Sequence, residues 1–65
     1  MPVVNINIVP ELLQVDKEEA YKEMVKGVTK AISESTKVPV EAVHVMIKEI
    51  SINCYSVGGK LLNDK

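Results

Sequence analysis

An α/β fold, one β-α-β unit followed by a short hairpin, is what this 65-residue sequence predicts. Three observations carry the prediction. Val4–Ile8 and Val43–Ile50 each alternate apolar and polar residues, one long helical stripe lies between them, and a Gly-Gly pair sits near the end. Alternation is the period of a strand, and spacings of three and four are those of a helix.

In the first strand Val4, Ile6 and Ile8 share one face while Asn5 and Asn7 share the other. The branched residues favour extended backbone. Pro10 cannot continue a central strand, so Pro10–Val15 reads as a connecting loop. Asp16 is placed to cap a helix, and Glu19 three residues later completes a capping-box pattern. The apolar residues Ala20, Tyr21, Met24, Val25, Val28, Ala31 and Ile32 then form one stripe, with Lys17, Glu18, Lys22, Glu23, Lys26, Lys30 and Glu34 opposite as a solvated face. Ser33, Ser35 and Thr36 weaken the helix, and Val38-Pro39 stops it. Pro39–Ala42 suits one short turn with Pro39 at the first helical position.

The second strand sets Val43, Val45 and Ile47 on one face and His44, Met46 and Lys48 on the other. Strand, helix, strand implies parallel strands joined by a right-handed crossover. Gly58-Gly59 marks a hairpin turn between Tyr55-Ser56-Val57 and Lys60-Leu61-Leu62.

Residues 1–65 make one small domain, marginal on its own at this size. Hydrophobic residues are 46% of the chain with no Trp or Phe, so the core is aliphatic. Disulfide, metal and association are the usual supports for so small a core. Cys54 is the single cysteine and His44 the single histidine. They form neither an internal disulfide nor a zinc cluster, so association is expected. An isolated hairpin is also marginal in water, which points its arm at a neighbouring subunit. Eight basic and nine acidic residues give a net charge of −1, with neither the basic patch nor the stacking aromatics of a nucleic-acid surface. No apolar run reaches membrane-span length, and no signal peptide is read at the start. One free cysteine agrees with a cytoplasmic location.

The candidate chemistry begins at Met1-Pro2. Removal of Met1 would leave Pro2 as a free secondary amine, a base near neutral pH because an α-amino group titrates at about 7.7–8.0. Desolvation would lower that value further. The alternative is that Pro2 only starts a strand, where a missing N–H costs nothing. Cys54 reads as a small buried thiol, with no base fixed beside it. Glu41 and Glu49 do not form a paired-carboxylate site, and Ser51 through Asn63 holds no carboxylate to activate water.

Taken together, Met1-Pro2 and the strand after it, Ala31-Ile32-Ser33, Val43-x-Val45-x-Ile47-x-Glu49 and Tyr55-Ser56-Val57-Gly58-Gly59 resemble the 4-oxalocrotonate tautomerase family over nearly the whole chain. The resemblance implies dimers that form four-stranded sheets and assemble three at a time into a hexamer. It implies that Pro2 is the catalytic general base of a keto–enol isomerisation on a small enol or 2-keto acid, without cofactor or metal. Tyr55 stands where the family usually has Phe beside the site, and Val9 and Val57 stand at other wall positions. The chain departs from the family at its arginines. The family's better-studied members use one Arg in the loop after the first strand and one in the second strand. Here the loop carries Leu12 and Leu13, the strand position is His44, and the chain contains no Arg. Neither Leu nor one imidazole reproduces a guanidinium fork. His44 is a candidate cation or hydrogen-bond donor, and otherwise a half-exposed strand residue. Lys48 and Lys60 are further candidate cations. The competing function is an oligomeric small-molecule-binding protein of the same fold with impaired chemistry.

Overall fold

The computed structural model describes residues 1–63. Strand β1 (Val3–Ile8) runs parallel to β2 (His44–Glu49), in register from Val3 opposite His44 to Ile8 opposite Glu49. The pairing extends one step past each end, where His44 N donates to Pro2 O at 3.0 Å and Ile50 N to Ile8 O at 2.7 Å. Helix α1 (Lys17–Thr36) makes the crossover, and β3 (Ser56–Val57) pairs antiparallel with β4 (Lys60–Leu61). The fold class is therefore the expected one.

Local chemistry accounts for the boundaries. Asp16 Oδ2 accepts from Glu19 N at 3.2 Å, closing the start of α1. The helix ends at Lys37, whose φ of 65° is left-handed and whose N–H bonds Ser33 O at 2.9 Å. A non-glycine in that conformation is uncommon, and the helix end carries no glycine to announce it. Pro10 opens a 3₁₀ turn over Pro10–Leu12 within the expected loop. Pro39, expected at a first helical position, instead precedes the 3₁₀ turn Val40–Ala42 with extended dihedrals, its carbonyl accepting from Ala42 N at 2.9 Å. Gly58 and Gly59 have φ of 61° and 84°, the double left-handed pair that a tight two-residue hairpin requires. Leu62 N donates to Tyr55 O at 2.9 Å and carries the hairpin one rung beyond β3 and β4.

Even-numbered residues of β1 and Val45 and Ile47 of β2 are shielded, while Val3, Asn5, Asn7, His44, Met46, Lys48 and Glu49 are exposed. The helix stripe covers the shielded face through Ala20, Tyr21, Met24, Val25, Val28 and Ile32. Ala31, placed on the stripe by sequence, is exposed, and Thr29 is shielded instead. Cys54 departs from expectation too. It is exposed, because the 3₁₀ turn Ile52–Cys54 carries it at the surface.

No described residue of the isolated chain is fully buried. The chain measures 46 × 25 × 14 Å with a radius of gyration of 14.7 Å, where a compact domain of this length has about 11 Å. A sheet of two strands also leaves both of its edges unpaired. No helix among the described residues is long and apolar enough to cross a membrane.

Candidate functional site

The candidate residues fall into two groups at opposite ends of the β1–β2 sheet. Pro2 and His44 lie together at the end where β1 begins. Pro2 is half-buried, its carbonyl bonded to the His44 backbone, and the His44 side chain is exposed on the face away from α1. Met1 before them is 82% exposed. With Met1 attached the Pro2 nitrogen is an amide. It becomes a base only when that peptide bond is cut.

Val9 and Tyr55 lie at the other end, about 20 Å away along a six-residue strand. They line an open groove of about 360 Å³ together with Asn7, Ile8, Leu12, Leu13 and Leu62. Its lining is aliphatic and aromatic apart from one amide, and contains no charged side chain. Leu12 and Leu13 enter it because the Pro10–Leu12 turn folds back, with Leu12 N donating to Val9 O and Leu13 N to Pro10 O, both at 3.1 Å. Tyr55 and Leu62 enter from the hairpin base, joined by their backbone hydrogen bond. Leu62 and Ile8 are groove residues that sequence reasoning missed. Val57 stands outside the groove on β3 and is 62% exposed. Lys48 and Lys60 are also outside the lining.

Two polar contacts brace the groove end. Tyr21 Oη donates to Glu49 Oε2 at 2.7 Å, and Lys17 Nζ lies 3.0 Å from the same oxygen. Desolvation, then the hydrogen bond to Glu49, pushes the Tyr21 phenol up to about 12. The Tyr21 hydrogen bond, then Lys17, holds the Glu49 carboxyl below the usual carboxylate value. Glu11 Oε2 accepts from Ile52 N at 3.3 Å and links the turn after β1 to the turn before Tyr55.

This arrangement divides one chemical inventory between two places. The end that holds the potential base also holds an imidazole, and the end that holds the apolar walls has neither. Within one chain no small molecule touches both. Two chains whose β1 strands meet antiparallel would bring the Pro2 end of one against the groove end of the other, because antiparallel pairing reverses the ends.

Known proteins of this kind share both sequence and fold with the chain. The family model described as "Tautomerase enzyme" matches residues 2–65. A relative from Lactiplantibacillus plantarum named "Probable tautomerase" is 42% identical over 65 residues, spanning 100% of this chain and 95% of its own. The crystal structure of YwhB, a homologue of 4-oxalocrotonate tautomerase, superposes with a TM-score of 0.84 at 30% identity and covers 98% of each chain. A heterohexamer 4-oxalocrotonate tautomerase from Chloroflexus aurantiacus J-10-fl shares the fold, with a TM-score of 0.82 at 21% identity over 95% of this chain and 94% of its own.

Proposed function

Because the chain belongs to the tautomerase enzyme family, we propose that it catalyses keto–enol proton transfer on a small enol or 2-keto acid, with the amino-terminal amine of Pro2 as general base. The amine takes the proton from the enol hydroxyl, the electron pair of that O–H bond forms the carbonyl π bond, and the π pair of the enol C=C bond takes the proton back from the ammonium to form the C–H bond at the adjacent carbon. Atoms and charge balance without a cofactor. His44, beside Pro2, donates an N–H to the carboxylate or to the oxygen where charge develops. Val9 and Tyr55 of an adjoining chain wall the reacting carbons and keep the amine unprotonated by making its charged form costly. Val57 joins that wall in the assembled protein.

The observation that carries the reading is the division of the site. Pro2 with His44 at one sheet end and an apolar, uncharged groove at the other are complementary halves. A dimer with a four-stranded sheet would place them together, and three such dimers would make a hexamer, the subunit number of the Chloroflexus protein. The unpaired strand edges and the absence of a fully buried residue among the described residues support such association.

The absence of Arg favours a second reading, in which the fold binds a small molecule with impaired chemistry. Steady-state ketonisation of phenylenolpyruvate separates the two. The enzyme reading predicts that Pro2→Ala with Met1 removed loses about 10²–10⁴-fold in turnover, the usual worth of a positioned acid–base group. Equal rates for both proteins would leave the binding protein as the reading.

A further inference from the structure

We propose that Glu11 is a positioning residue that sets the spacing between the two walls of the groove, and so the bulk of the substrate side chain accepted there. The inference rests on the tautomerase reading for what occupies the groove. The latch itself is a matter of geometry.

One wall comes from the turn after β1 and carries Val9, Leu12 and Leu13; the other comes from the hairpin base and carries Tyr55 and Leu62. These walls belong to segments some forty residues apart in sequence, and Glu11 ties them directly. Its Oε2 accepts from the backbone N–H of Ile52 across a separation of 41 residues. Ile52 opens the 3₁₀ turn Ile52–Cys54, whose next residue is Tyr55.

The first N–H groups of a helical turn have no partner inside the turn. The turn supplies its own partners for the others. Ser51 Oγ accepts from Asn53 N at 3.1 Å, and Ser51 O accepts from Cys54 N at 2.8 Å. Only Ile52 N turns to a distant group, and the acceptor it meets is a carboxylate. On the other side, Glu11 sits in the middle of the Pro10–Leu12 turn, so Leu12 moves with it. The Glu11 side chain is exposed and does not line the groove. It acts on substrate only through the walls it joins.

The test uses the full chain with Met1 removed, comparing Glu11→Ala and Glu11→Gln with the unaltered protein. Amide hydrogen exchange is read by NMR at Ile52 and at Ile50, whose N–H bonds Ile8 O within the sheet. In Glu11→Ala the Ile52 amide should exchange about tenfold faster while Ile50 stays within about twofold, the pattern of a local rather than global opening. Glu11→Gln keeps a carbonyl acceptor of the same reach and should restore Ile52 protection. In parallel, KM for phenylenolpyruvate should rise about fivefold in Glu11→Ala with kcat held within about twofold, a loss of uniform binding. Glu11→Gln should return KM to the original value. Unchanged Ile52 exchange in Glu11→Ala overturns the latch, as does equal acceleration at Ile50 or failure of Gln to rescue. An unchanged KM with faster Ile52 exchange overturns the role in setting wall spacing. If the unaltered protein turns over no enol acid, the tautomerase reading and the role in substrate fit both fail, while the exchange data still decide the latch.

Discussion

In the proposed mechanism Pro2 acquires its chemistry only by losing its neighbour. As the second residue it is an amide that starts a strand; as the first it is a secondary amine. In the proposed mechanism the active form is the free base, so the rate should rise with pH as the amine loses its proton. The midpoint should fall below the ordinary α-amino range of about 7.7–8.0, because apolar walls penalise the ammonium. A pH–rate profile of kcat/KM reads this directly, and a midpoint above that range would mean that the walls do not desolvate the amine. His44 is assigned the smaller part in that mechanism. Its replacement by Ala should cost about tenfold to a hundredfold in turnover, the worth of one hydrogen bond to a charged group, with the loss seen in steady-state assays on phenylenolpyruvate.

Among the elements, the helix ends carry the most direct predictions. Lys37 holds a left-handed conformation at the end of α1, which a side chain makes costly and glycine does not. Lys37→Gly should stabilise the protein by about 1 kcal/mol, measured as a rise in the denaturation midpoint. At the other end, Glu49 joins the start of α1 to the end of β2 through Tyr21 and Lys17. A carboxyl held below its unfolded pKa stabilises the fold above the ordinary carboxylate range and loses that contribution as pH falls through the folded value. The stability gap between the unaltered protein and Glu49→Gln should therefore be full at neutral pH and close in acid. Tyr21 runs the opposite way. Its raised phenol contributes below its ordinary value of 10.0 and loses that contribution as pH rises through about 12.

Much of this architecture is legible in the sequence because it is local. Alternation from Val4 to Ile8, the Asp16 cap and the Gly58-Gly59 turn each announce themselves within a few residues. Lys37 does not, since its side chain gives no sign that the backbone turns left-handed there. Tyr21 reads as one more apolar residue of the helix stripe, and only the fold shows its hydroxyl on Glu49, 28 positions away. The site is less legible still. Pro2, Val9, His44 and Tyr55 can be named from the family resemblance, but nothing in their order says that they lie at two ends of a sheet. Leu62 enters the groove, and Glu11 reaches Ile52, through contacts between distant segments that leave no mark in composition or period.

At the scale of the whole molecule, the separation of Pro2 from the groove becomes a prediction about subunits. Pro2→Ala chains retain Tyr55, and Tyr55→Ala chains retain Pro2. If each site draws its base from one chain and its wall from another, mixed assemblies contain some sites with both. Refolding the two variants together at equal amounts should then give more activity than the average of the two alone. Activity equal to that average would place both residues in a site within one chain.

Whether a free Pro2 amine moves the proton is decided by comparing processed protein with protein that retains Met1. Intact mass establishes which form is present, and light scattering establishes that both assemble alike. With phenylenolpyruvate as substrate, processed protein should turn over, and the Met1-retained form should be inactive, because an amide nitrogen offers no lone pair to a proton. Equal turnover by the two forms would rule out Pro2 as the base and return it to the role of a residue that begins a strand.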